Sequence, residues 1–371
     1  KLSAFIVNLK LAIFIFLLCS FNLKHALSQQ KFSDNLKLGV NYHRGYNLPE
    51  YSSFLLTVND PIQSLDLTIS KETVGDTPWE QLFNYPEYGL SLFYASLGNG
   101  VIYGNELALT YFFKIYLLDR DKFKLYNRVG IGLSYVSKKY DPKTNPTNIA
   151  VGSHLNIHFN AQFGGTFELT DKINLNAGLS FDHLSNANTS EPNIGMNSLT
   201  AFTGLSYYLG KRTERKIVEL QKHEPRNRFY LFGSVGGKHL RSLSGEYFLA
   251  NSLSLEYVRE SGRIFYIGAG VDVFYDSSVP TFLESEGKSF NNQDYFQTGV
   301  HVSQTLRYNR FSLSLQQGIY VGLTNKVEDK LMYNRGIIKC NLSDNFSVRL
   351  AMKSHLHILD YPEIGIGIKL K

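Results

Sequence analysis

The feature that most constrains the fold is a period of two in the apolar residues, repeated along most of the chain. Leu65, Leu67 and Ile69 alternate with Asp66 and Thr68, and Val129, Ile131, Leu133 and Tyr135 alternate with Gly130, Gly132 and Ser134. Phe265, Ile267, Ala269, Val271 and Val273 are interleaved with residues that include Gly268, Gly270 and Asp272, and Phe311, Leu313 and Leu315 with Ser312, Ser314 and Gln316. A helix repeats every 3.6 residues and cannot make this pattern, whereas successive side chains of a strand point to opposite faces. After the first 28 residues no segment reads as a transmembrane helix, which needs about 20 apolar residues. Strands can still cross a bilayer as a closed barrel, because closure satisfies every backbone N–H and C=O. The residues between the apolar ones are often Gly, Ser and Asn with some charge, which suits a wet lumen. A soluble all-β protein would turn its polar residues outward and its apolar ones inward. The expectation is an all-β, membrane-spanning antiparallel β-barrel.

Composition agrees. Tyr (24) and Phe (26) are abundant and favour pleated surfaces, and 43% hydrophobic content with 19% charged excludes a disordered chain. A net charge of +6 is mild and suits anionic headgroups, but no basic stripe accompanies a recognition motif, so nucleic acid is not an expected partner.

Residues 1–28 read as a secretory signal peptide: a basic start, the apolar run 11–18, then Ala26-Leu27-Ser28 as a small-x-small cleavage site. Leu18 ahead of Cys19 argues against lipidation, and Cys340 alone remains in the processed chain, so no intramolecular disulfide is expected. Export in this form points to the outer membrane of a Gram-negative bacterium.

Roughly eight strands fit between Leu36 and Gly210 and roughly eight more after Phe229. Residues 211–228, KRTERKIVELQKHEPRNR, are charged, include Pro225 and lack alternation, and read as a polar linker. The domain expectation is a first barrel over 29–210, the linker over 211–228 and a second barrel unit over 229–371. One barrel of about sixteen strands is the alternative, because sequence does not show which edges pair.

The segment 173–209 carries the chemistry. Ile173, Leu175, Ala177, Leu179 and Phe181 form one strand face, and continuing that face reaches His183 and Ser185. In the next strand Leu199, Ala201, Thr203, Leu205, Tyr207 and Leu209 share a face that runs back to Asn197. Residues two apart on a strand sit about 6.6 Å apart on one face, so an imidazole and a hydroxyl that lean together can hydrogen-bond as base and nucleophile. His183, Ser185 and Asn197 are therefore expected on the outer wall, at the rim, on adjacent strands.

His183-Leu184-Ser185-Asn186 followed by Pro192-Asn193-Ile194-Gly195-Met196-Asn197 resembles the hallmark of the PagL-type lipid A 3-O-deacylases, His-x-Ser-Asn, a short loop, then Pro-Asn-x-Gly-x-Glu. Residues 183–197 carry the close match, with looser likeness over 29–210 that includes Thr77-Pro78-Trp79-Glu80-Gln81, Tyr85-Pro86-Glu87-Tyr88-Gly89 and Gly98-Asn99-Gly100. The resemblance implies an outer-membrane ester hydrolase with lipid A, or lipopolysaccharide, as partner among the outer-membrane lipids, and neither cofactor nor metal. It implies Ser185 as nucleophile, His183 as general base, Asn193 in oxyanion stabilisation, and Asn186 shaping the turn or assisting that hole, with Gly195 in the same loop. The family's third member is an acid, and here it is Asn197, which can orient the histidine but brings no charge. Glu191 is a possible substitute from the loop, whereas Asp182 points to the opposite face.

Each of these residue types at a strand end is, taken singly, more often a loop residue than a catalyst, and only the shared face and the spacing raise the joint reading. His154 and His158 are four apart on a strand, about 13 Å, too far to share a metal, and read as lumen residues. His355 and His357 also read as lumen residues, and no Ser stands two places after His355, so the second half is expected to be non-catalytic, a scaffold or a pore. The alternative for the whole chain is a structural or channel-forming barrel with a decayed site.

Overall fold

In the computed structural model the described residues are 32–48, 57–58, 60–187, 189–220, 222–239, 246–323, 331–355 and 358–370. The signal peptide expected over 1–28 and His357 lie outside them. Sixteen antiparallel strands close into two separate eight-stranded barrels, not one. The first is built from β1 (Leu36–Asn47), β2 (Ile62–Glu72), β3 (Glu87–Ser96), β4 (Asn105–Arg120), β5 (Phe123–Val136), β6 (Leu155–Glu168), β7 (Ile173–Ser185) and β8 (Met196–Tyr208), with β8 paired back onto β1. The second runs through β9 (Arg226–His239), β10 (Tyr247–Glu260), β11 (Phe265–Asp276), β12 (Phe296–Tyr308), β13 (Phe311–Tyr320), β14 (Met332–Asn341), β15 (Phe346–His355) and β16 (Ile358–Lys369), with β16 closing onto β9. The second barrel begins at Arg226, three residues before the sequence reading placed it.

The strands run from 10 to 16 residues, enough to cross a bilayer when tilted. Among the described residues no helix is long and apolar enough to cross a membrane. The wall is inverted relative to a soluble protein. Leu65, Leu67, Leu107, Leu109, Val271 and Leu313 stand exposed on the outside, while Asp66, Glu106, Arg128, Asp272, Arg335 and Arg349 are buried within. Hydrocarbon covers the first set, and the second must find partners in the lumen.

Each lumen is filled in that way. At the end of the first barrel near the linker, Lys37 bonds Glu87, Lys124 bonds Glu72 at 2.6 Å, and Tyr208 bonds Glu72 at 2.5 Å. At mid-depth Arg128 bonds Asp66 at 2.7 Å. At the opposite end, beneath the loops, Leu97, Tyr103, Val136, Ala150, Val151, Leu184 and Met196 form an apolar plug. In the second barrel Arg335 bonds Asp272, His301 bonds Asp272 at 2.6 Å, and Lys353 bonds Asp360 at 2.6 Å. Buried charged side chains thus occupy the interior of both barrels, which at eight strands is just wide enough for side chains to fill. His355 is buried there, with Nε2 2.9 Å from the Tyr320 hydroxyl.

The linker is strapped down. Lys216 N–H donates to Val74 O at 2.7 Å and Val218 N–H to Gln81 Oε1 at 2.8 Å, while Arg263 donates to Leu220 O at 3.4 Å from the second barrel. A short helix, α1 (Pro78–Leu82), places Trp79 against Tyr308 of β12 with ring centroids 4.2 Å apart, and Phe113 lies 5.0 Å from the same tyrosine ring.

Candidate active site

β6, β7 and β8 hold the site in register. His183 on β7 pairs with Phe159 on β6 and with Asn197 on β8, while Ser185 pairs with Ile157. Period-two alternation then decides orientation. Ser180, Asp182 and Leu184 are buried in the lumen, whereas Leu175, Leu179 and Leu199 are exposed on the wall. His183, Ser185 and Asn197 follow the outward set and are half-buried.

The three side chains meet. His183 Nδ1 lies 2.6 Å from Asn197 Oδ1, and His183 Nε2 lies 3.0 Å from Ser185 Oγ. Because Oδ1 can only accept, it selects the tautomer that carries the proton on Nδ1. Nε2 then has a lone pair for the Ser185 hydroxyl proton. The place expected for the acid is filled by Asn197, not by Glu191. Asp182 points inward, accepting from Ser180 Oγ at 2.9 Å and from Asn160 Nδ2 at 2.7 Å.

The loop that joins β7 to β8 is tied to itself and to its neighbour. Asn186 donates its backbone N–H to Asn193 Oδ1 at 2.9 Å, its Nδ2 donates to Ser190 O at 2.8 Å, and its Oδ1 accepts the Thr189 N–H at 3.0 Å. Asn186 therefore shapes the turn. Asn193 has its carbonyl end fixed by Asn186, which leaves its Nδ2 as the donating end. Gly195 has φ +76°, and a Cβ there would stand 3.3 Å from His183 Cε1 and 3.4 Å from Ser185 Cβ. Both the left-handed backbone and the lack of a side chain are needed at that position.

The β5–β6 loop buttresses this turn, a role the sequence reading missed. Ala150 O accepts the Gly195 N–H at 3.0 Å, and a Cβ on Gly152 would meet Glu191 O at 2.6 Å. An isolated Gly just ahead of a strand was the one available signal, and it is weak. The loop is itself set by Asp141, which accepts the Thr144 and Lys143 N–H groups at 2.8 and 2.9 Å. Those two donors hold its carboxyl below the ordinary carboxylate range.

His154 corrects the sequence reading. It precedes β6 and is not in the lumen. Its ring is exposed and stacks on Tyr135 with centroids 5.4 Å apart, and Nδ1 bonds Val136 O at 2.7 Å. The loop backbone ends the alternation before this residue. His158 does point inward, 2.8 Å from Glu106 and 3.3 Å from Asp182.

Residues 63–206 match the lipid A 3-O-deacylase (PagL) family, and residues 227–371 match the acyloxyacyl hydrolase C-terminal domain. The chain belongs to the PagL-type deacylase and acyloxyacyl hydrolase family. The two matches fall one on each barrel, and family and lipid-facing wall together make this deacylase relative an outer-membrane protein. Among solved structures it is similar to Neisserial surface protein A, at 10% identity over 47% of this chain and 97% of that one, with a TM-score of 0.33. It is also similar to the outer membrane enzyme PagL, at 18% identity over 45% of this chain and 97% of that one, TM-score 0.30. The Acinetobacter baumannii outer membrane protein Omp33 shares 9% identity over 91% and 97%, TM-score 0.18. Similarities this distant carry no residue-level information. Among curated proteins, none matches the chain.

Proposed function

We propose that this chain is an outer-membrane esterase that hydrolyses an ester-linked acyl chain of lipid A, with Ser185 as nucleophile and His183 as general base. The observation that carries the reading is the bonded series Asn197–His183–Ser185 on the lipid-facing side of the wall, at the outer rim of the β7–β8 hairpin. With a periplasmic N-terminus that hairpin turns in the outer leaflet, where lipid A resides.

The steps follow from the geometry. Ser185 Oγ attacks the ester carbonyl carbon while His183 Nε2 takes its proton, giving a tetrahedral oxyanion and an imidazolium held by Asn197 Oδ1. In this reading the Asn193 amide, its oxygen held by the Asn186 N–H, donates Nδ2–H to that oxyanion. As the C–O bond to the sugar breaks, the imidazolium returns the proton to the leaving hydroxyl. Water, deprotonated by the same Nε2, then releases the fatty acid from Ser185.

The test is mass spectrometry of lipid A from cells with and without the protein. Loss of the mass of one hydroxyacyl chain, abolished by Ser185→Ala, is the expected result. An unchanged lipid profile would instead support a non-catalytic barrel.

A further inference from the structure

We infer that Glu106, His158 and Asp182, buried in the lumen behind the hairpin, supply the negative charge that stabilises the His183 imidazolium in place of a carboxylate at position 197. The inference rests on the esterase reading above and concerns how its base works without an acid beside it.

The charge of the cluster follows from its hydrogen bonds. His158 Nδ1 faces Glu106 Oε1 at 2.8 Å and Nε2 faces Asp182 Oδ1 at 3.3 Å. The remaining partners of the carboxylates also donate: Ser134 Oγ to Glu106 at 2.6 Å, Ser180 Oγ to Asp182 at 2.9 Å, and Asn160 Nδ2 to Asp182 at 2.7 Å. Acceptors surrounded only by donors are ionised carboxylates, and a ring between two of them carries both protons. Two carboxylates and one imidazolium leave a net charge of about −1. Among the described residues no lysine or arginine bonds either carboxylate.

Register places this charge directly behind the base. Asp182 and Leu184 flank His183 on β7, and their partners on β6 are Asn160 and His158. The wall between is one strand thick, so Asp182 and the imidazole stand roughly 10 Å apart. The oxyanion forms beyond Ser185, farther out, so the field favours the imidazolium more than it opposes the oxyanion.

Other charges facing this region do not cancel it. Arg128 on β5 is committed to Asp66 on β2 at 2.7 Å, a pair with no net charge. His43 on β1 bonds Thr200 at 3.3 Å and packs against Phe93 and Phe202. Arg44 on the outer wall and His154 and Glu191 in the loops lie on the solvent or lipid side, where screening is stronger. These cluster residues touch no substrate and are positioning residues that act through His183.

The experiment measures kcat and KM of the purified full-length chain on lipid A in mixed micelles. At an effective dielectric of about 20, a unit charge about 10 Å away changes a rate on the order of tenfold. Asp182→Asn should lower kcat by about that factor, and Glu106→Gln, which lies farther off beyond His158, by a smaller factor, both with KM unchanged. His158→Gln removes the cation, and should leave kcat undiminished or raise it. A merely structural cluster would lose activity in all three. Native kcat in Asp182→Asn and Glu106→Gln, or an equal fall in His158→Gln, overturns the inference. If His158→Gln does not give the folded barrel, the Asp182→Asn effect is read against Ser180→Ala, which removes a neutral donor to Asp182 but no charge and should keep kcat near native, and an equal loss in both overturns the inference. Turnover surviving Ser185→Ala would overturn the esterase assignment itself, and is separable from these results.

Discussion

At the scale of single residues the question is what an amide does where a relative of this family would carry an acid. Asn197 Oδ1, 2.6 Å from His183 Nδ1, selects the tautomer with the proton on Nδ1, the one the proposed mechanism needs, and lacks the charge of a carboxylate. A serine triad that loses its acid to an amide can fall by about 10⁴ when the wrong tautomer is trapped. Here that penalty is absent, so Asn197→Asp should raise kcat by about one to two orders of magnitude, a purely electrostatic gain. Steady-state kinetics on lipid A decide it, and a variant slower than the native chain would show that the amide is required. The outward trio was legible in the sequence because alternation assigns a face to every residue of a strand. Whether Glu191 takes the place of the missing acid was not resolvable there, because a loop has no period, and in the structure Asn197 Oδ1 is the group that faces His183 Nδ1. Glu106 was invisible for a related reason: its partner His158 lies two strands away, across β5, and nothing local marks a contact across a lumen.

At the scale of elements the hairpin depends on what lies beneath it. Leu184 sits between His183 and Ser185 but points the other way, into the plug with Val136, Val151 and Met196. Truncating a buried leucine costs about 2–5 kcal/mol. Leu184→Ala should therefore lower the urea midpoint of the barrel in detergent and reduce kcat, because the strand that spaces His183 from Ser185 loses its anchor. If the midpoint falls and kcat is unchanged, the plug supports the fold without holding the site. Strand number and the faces of residues within the strands could be read from period, although His154, in the loop ahead of β6, could not. The start of β9 could not be fixed to the residue, since Arg226 and Arg228 look like linker in sequence and join the sheet only because β10 offers Glu260 and Val258 as partners. The plug was also beyond reach, because Ala150, Val151 and Leu97 come from loops or strand ends whose meeting point is set by barrel closure.

At the scale of the whole molecule the two barrels are joined by more than chain. The linker is hydrogen-bonded to both, and Trp79, Phe83 and Phe113 of the first barrel surround Tyr308 of the second. None of this could be read from sequence, since an exposed aromatic on a barrel wall has the same signature whether lipid or protein covers it. Aromatic pairs of this kind add about 0.5–1.5 kcal/mol each beyond the area they bury, so one tyrosine is a large share of the contact. Trp79 is the only tryptophan in the chain, which makes its emission a direct report on that contact. Removing the phenol ring opens the indole to its surroundings at the membrane rim, so Tyr308→Ala should shift the emission to the red. Lipid A hydrolysis should hold its native rate, because the proposed catalytic hairpin is on β7 and β8 while Tyr308 touches α1 and β4. An unshifted emission would mean that the barrels do not meet through this cluster in the membrane. A shifted emission with a slowed reaction would instead make the second barrel part of the catalytic unit.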